Sequence, residues 1–125
     1  DQLRQMHRLK TGALLQASVM MGVACGTSSA AAQKALSDYG AALGLAFQVV
    51  DDSLDVVADS ATRGKTAGKD AASDKPTYVS LLGLAPAQAH AQELLAQAHD
   101  ALAASGLADT RALAALADMV VNRSY

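Results

Sequence analysis

From Leu36 to Val57, large apolar residues and one glycine recur at alternating steps of four and three: Leu36, Gly40, Leu43, Phe47, Val50, Leu54 and Val57. Only an α-helix places that period on a single stripe. An unbroken seam of this length commits the chain to helix-on-helix packing. The same run carries Gln48, Asp51, Asp52 and Asp55, which at about 100° per residue fall within an arc of about 100° on a different stripe. One helix thus has a packing seam and, beside it, an acidic edge.

Like charges at i,i+3 and i,i+4 destabilise a helix by roughly 0.2–0.5 kcal/mol per pair, and acids near a helix C-terminus also oppose its dipole. Asp51, Asp52, Asp55 and Asp59 incur both costs. A hard divalent cation removes the repulsion. Mg²⁺ in particular is held by one or two carboxylates together with waters and substrate phosphates. Taken alone, the triplet reads equally as a solvated acidic face. The residues that follow favour the cation: between Ser60 and Pro76, Gly64 and Gly68 supply turns, and Arg63, Lys65, Lys69 and Lys75 supply positive charge. Metal on carboxylates plus lysines as point charges is what a diphosphate requires. Without such a ligand the segment is simply a flexible charged loop.

The stretch Phe47-Gln48-Val49-Val50-Asp51-Asp52-Ser53-Leu54-Asp55, with Gly64-Lys65, Gly68-Lys69-Asp70 and Lys75-Pro76-Thr77-Tyr78, resembles the second aspartate-rich region of the trans-isoprenyl diphosphate synthases. Within that family it is most similar to the bacterial farnesyl-forming branch. Met6-His7-Arg8-Leu9-Lys10-Thr11-Gly12 resembles the family's Lys-Thr helix, which lies upstream at about this separation.

The resemblance implies an all-α bundle of the isoprenoid synthase type. It also implies condensation of isopentenyl diphosphate with an allylic diphosphate, dimethylallyl or geranyl, through Mg²⁺-assisted ionisation. By the same resemblance Asp51 is a direct Mg²⁺ ligand, Asp52 and Asp55 support the metal, and Asp70 joins them. Lys10, Lys65 and Lys75 contact the allylic diphosphate, while Thr11 and Gln48 lie along the cavity near the reacting carbon. Arg63 and Lys69 are weaker candidates, and Arg123 matches the basic C-terminal tail of many relatives. Tyr78 after Lys75-Pro76-Thr77 favours a farnesyl product over geranylgeranyl or longer chains. A class I terpene cyclase shares the fold and metal logic, but its Asn/Ser/Glu second motif and aromatic pocket are absent here.

The family carries two aspartate-rich motifs, and this chain has one Asp-Asp-x-x-Asp. With Asp1 in place of an initiator Met, residues 1–125 are expected to be the C-terminal part of one larger domain. The complete enzyme is expected to be a homodimer. The chain as it stands is expected to be an inactive helical fragment that self-associates through uncovered apolar surface.

Composition fits a bundle that relies on neighbours. Hydrophobic residues make up 51% of the 125, but alanine dominates them, aromatics are 3% and Trp is absent; small side chains fill little volume. A net charge of −2 leaves no electrostatic footprint for nucleic acid or an anionic membrane. Cys25 is the one cysteine, so no disulfide forms within the chain, and it reads as structural. No apolar run reaches the roughly 18 residues of a membrane span, and the cytoplasm is the default compartment.

Cap signals predict helices over Gln2 to Ala24, from Ser28 or Ser29 to about Ala58, from Thr77 to Leu82, from Pro86 to Gly106, and from Asp109 or Thr110 onward. Leu14, Val19, Met20 and Val23 are expected inward on the first helix, and Leu113, Leu116, Ala117, Val120 and Val121 on the last. His90 and His99 are expected to face solvent, and His7 has no general-base geometry to support a catalytic role.

Overall fold

A computed structural model describes residues 2–62 and 77–124, with side chains placed for 11–61 and 77–124. The described residues form α1 (Gln2–Ala24), α2 (Ala30–Thr62), α3 (Tyr78–Leu82), α4 (Leu84–Ala104) and α5 (Arg111–Asn122), with no strand among them. The all-α expectation holds, and the caps explain most boundaries. Of the two serines before α2, Ser29 is the cap, its Oγ accepting the Ala32 N–H at 3.1 Å. Thr77 and Ser80 close a reciprocal capping box on α3. Gly83, at φ 89°, then turns the chain directly into α4, a conformation that L side chains rarely adopt.

Two helices differ from their expected bounds, α2 at its C-terminus and α4, which spans Leu84–Ala104 where Pro86 to Gly106 is expected, whereas α5 starts as expected. α2 runs four residues past Ala58, where Ser60 turns its hydroxyl back onto the Val56 carbonyl at 2.8 Å and stays compatible with the helix. At α5 the side-chain cap is Asp109, which accepts the Arg111 N–H at 3.1 Å and also pairs with the Arg111 guanidinium. That pairing holds the Asp109 carboxyl below its ordinary range.

α2 is the spine, about 50 Å long at 1.5 Å per residue, and α1, α3, α4 and α5 all pack on it. Its largest interface is with α4, where small side chains let the axes approach: Ala42 and Ala46 on α2, Ala87, Ala91 and Ala98 on α4, all buried. Leu36, Tyr39, Leu43, Leu102 and Ala117 fill one end of the core, and Val49, Val50, Val79, Leu94 and Val121 the other. Tyr39 is fully buried and donates its hydroxyl to the Leu113 carbonyl at 2.8 Å, tying α2 to α5. Burial raises its phenol pKa above the ordinary value.

α1 meets α2 backbone to backbone. A Cβ placed on Gly44 would lie 2.8 Å from the Gly12 carbonyl oxygen, and one on Gly40 would lie 3.1 Å from the Gln16 Cα. Gly12 opposite Gly44 and Gln16 opposite Gly40 make the helices antiparallel, and Gln16 adds a side-chain bond to the Ser37 carbonyl at 3.2 Å.

That crossing corrects the expected inward face of α1. Val19 and Val23 pack against the core, but Leu14 is 66% exposed, because it lies about 160° around the helix from Gly12. Leu116 on α5 is likewise exposed, lying about 100° from Ala117 and off the Ala117–Val121 stripe. Val57 closes the α2 seam in sequence yet is exposed, since a straight helix drifts about 20° per heptad from a strict seven-residue repeat. Cys25 is exposed in the turn after α1. His90 and His99 are half-buried and partnered, His90 with Glu93 and His99 with Asp118 at 2.8 Å.

Gly44→Ala is expected to cost about 1–3 kcal/mol by forcing α1 off α2. Gly22→Ala, where the added Cβ meets no other side chain or helix within 4 Å among the described residues, should instead gain up to about 1 kcal/mol from helix propensity. Urea denaturation of the two variants measures both, and a neutral Gly44→Ala contradicts the close crossing.

Candidate functional site

The glycine crossing carries the α1 turn with Thr11, half-buried, beside the α2 turn that precedes Phe47 and Gln48. The antiparallel register leads the Lys10 backbone on toward the aspartate-bearing end of α2. The side chain of Lys10 lies outside the described residues, as do Lys65, Asp70 and Lys75, together with Arg63 and Lys69. Of the expected site, the described part is therefore Thr11, Gln48, Asp51, Asp52 and Asp55.

Along α2, Gln48 is half-buried, and Asp51 and Asp55 stand exposed one turn apart. Asp52 does not join them. It is buried at 7% exposure, and its Oδ2 accepts the Tyr78 N–H at 3.1 Å. The triplet is split by helix geometry: Asp52 sits on the edge of the arc nearest Val49, which is fully buried, whereas Asp51 sits on the opposite edge.

Arg123 folds back onto the same turn from the end of α5. Its Cζ lies 4.2 Å from the centroid of the Phe47 ring, and one Nη is 3.4 Å from the Phe47 carbonyl and 3.5 Å from the Asp51 carboxylate. The guanidinium is largely covered, and its Nε is buried with no hydrogen-bond partner among the described residues. Phe47 thus works as a platform that aims a cation at Asp51. Sequence reasoning assigned Arg123 to a closing tail without this contact and gave Phe47 to the seam. No spacing rule connects residues so far apart in the chain.

Asp51 and Asp55 are hard oxygen donors with room for water and phosphate between them and solvent. This suits Mg²⁺, which keeps several waters and takes few protein carboxylates. Among the described residues no three His, Cys, Asp or Glu side chains gather as a metal site, so the pair forms an edge and not a cage. A cleft of about 380 Å³ lined by Ser53, Leu54, Val57, Gln88, Gln92 and Arg123 lies on the other flank of α2. None of Asp51, Asp52 and Asp55 lines it.

The polyprenyl synthetase family model matches residues 1–113. A probable farnesyl diphosphate synthase of Sinorhizobium fredii is 51% identical over 85% of this chain and 33% of the relative. The farnesyl diphosphate synthase of Escherichia coli is 45% identical over 99% of this chain and 42% of its own length. A mitochondrial geranylgeranyl pyrophosphate synthase of Arabidopsis thaliana is 40% identical over 98% of this chain and 36% of its own length. The chain therefore spans roughly a third to two-fifths of the curated relatives it matches.

Arg123→Ala is expected to cost about 1–2 kcal/mol, most of it from the lost stacking and packing on Phe47. The ion pair with the exposed Asp51 contributes little. Arg123→Lys should recover only part, because a compact ammonium neither stacks nor forks. Equal stability of all three proteins in urea contradicts the platform.

Proposed function

This chain belongs to the polyprenyl synthetase family, and we propose that, within a complete enzyme, it supplies one wall of a prenyltransferase site. There an allylic diphosphate, dimethylallyl or geranyl, is ionised and joined to isopentenyl diphosphate, with farnesyl diphosphate as product. The observation that carries the reading is the exposed Asp51–Asp55 edge with a cation aimed at it, on a helix otherwise held by packing.

In this reading the allylic C–O bond breaks and its electrons leave with the diphosphate. The double bond of isopentenyl diphosphate then attacks the allylic cation, and a proton is lost to the departed diphosphate. Mg²⁺, when bound, neutralises charge on the leaving oxygens. Asp51 and Asp55 hold the ion, and Lys10, Lys65 and Lys75 neutralise the rest of the diphosphate, with Asp70 beside them. Thr11 and Gln48 set polar groups along the wall near the reacting carbon. Fixed charges placed where negative charge develops lower the barrier without reorganising at the moment of reaction.

A farnesyl product rests on Tyr78 following Lys75-Pro76-Thr77. A geranylgeranyl or longer product is the alternative, and relatives of both kinds match. The proposal extends to a cytoplasmic homodimer in which the first aspartate-rich motif, on a facing helix of the same domain, completes the site, so that residues 1–125 alone are inactive. Among the described residues no helix is long and apolar enough to cross a membrane.

In the full-length enzyme, Asp51→Ala should lower kcat by about 10²-fold or more with little change in KM, because the lost interaction strengthens as the leaving group gains charge. Lys65→Ala and Lys75→Ala should raise KM for the allylic diphosphate as well. Radiolabelled product extraction from isopentenyl and geranyl diphosphates measures each. Wild-type turnover by Asp51→Ala at saturating Mg²⁺ defeats the assignment.

A further inference from the structure

We propose that Asp52 is a positioning residue and not a metal ligand: its carboxylate holds the start of α3, and with it the point where the basic segment rejoins the helical frame. The functional half of this inference rests on the prenyltransferase reading. The structural half does not.

Within one Asp-Asp-x-x-Asp, two carboxylates are exposed and one is buried. A metal ligand needs lone pairs open to the ion and its waters, and Asp52 Oδ2 is turned inward onto the Tyr78 N–H at 3.1 Å. That N–H is the first of α3, and first-turn donors have no acceptor within their own helix. The Thr77 hydroxyl takes the Ser80 N–H at 2.9 Å, so Thr77 and Asp52 each satisfy one donor of the first turn. A carboxylate is well suited there, since it makes a charge-assisted bond at the positive end of the helix.

A helix of five residues has no stability of its own. α3 is held by this cap and by Val79, which packs in the cluster with Val49 and Val50. α2 ends at Thr62 and the described chain resumes at Thr77, and the residues between include Lys65, Asp70 and Lys75. Fixing Tyr78 to α2 therefore fixes the return point of the segment that carries the candidate diphosphate lysines. The metal edge of α2 is left to Asp51 and Asp55.

Asp52→Asn keeps an oxygen that accepts from Tyr78 and removes the charge, whereas Asp52→Ala removes both. In the full-length enzyme, hydrogen exchange of the peptide covering Tyr78–Leu82 should quicken about tenfold in Asp52→Ala, and stay near wild type in Asp52→Asn. Both variants should keep the wild-type half-saturating Mg²⁺ concentration, with KM for the allylic diphosphate raised in Asp52→Ala alone. Asp51→Asn should raise the Mg²⁺ requirement. An Mg²⁺ requirement raised by Asp52→Asn as much as by Asp51→Asn overturns the proposal, and so does unchanged exchange in Asp52→Ala. If the wild type forms no prenyl product, the prenyltransferase reading fails, while the exchange measurement still decides what Asp52 holds.

Discussion

α2 must be buried along most of its circumference and yet keep one narrow arc polar, and the rest of the structure follows from how that is met. Every other described helix packs on it. Glycines bring α1 into backbone contact on one flank, and alanines bring α4 close on another. The α5 helix closes the remaining side through Tyr39 and Val121. In the C-terminal half of α2 the half-buried Gln48 and the exposed Asp51 and Asp55 lie outside these crossings. Rigidity of the site thus comes from small residues at the crossings, where no side chain intervenes to adjust.

The acidic edge sits in the C-terminal half of α2, where both mutual repulsion and the helix dipole act against it. The fold relieves this in two local ways. Asp52 is withdrawn to the N-terminus of α3, where a carboxylate is favourable, and Arg123 is brought over Phe47 to face Asp51. Within the Asp-Asp-x-x-Asp triplet, Asp51 and Asp55 remain open to solvent. A divalent cation with diphosphate would complete the compensation that the protein begins.

Much of this was legible in the residues. Ser29, the Thr77–Ser80 pair and Gly83 mark boundaries through short-range chemistry, and the seam from Leu36 to Val50 is a local period. Facing was harder to read. Leu14 counts as apolar in any pattern, yet Gly12 decides which side of α1 meets α2, and a glycine carries no hydrophobic signal. Asp52 and Asp51 are adjacent in sequence and lie on opposite edges of one arc, so periodicity alone does not tell which edge turns inward. Arg123 meets Asp51 only because α5 returns along α2, which is a fact of topology. The identity of the family was carried by Lys10-Thr11, the aspartate triplet and the Gly-Lys spacings, and these residues match it independently of how they are placed.

The central claim is that the exposed Asp51–Asp55 edge of α2 is where metal and diphosphate meet. Crystals of the full-length enzyme soaked with Mn²⁺ and inorganic pyrophosphate test it directly, by the anomalous signal of the manganese. The expected result is a peak about 2.2 Å from a carboxylate oxygen of Asp51, with Asp52 still bonded to the Tyr78 N–H. No manganese at Asp51, or a manganese ion coordinated by Asp52 in place of that N–H, would contradict it.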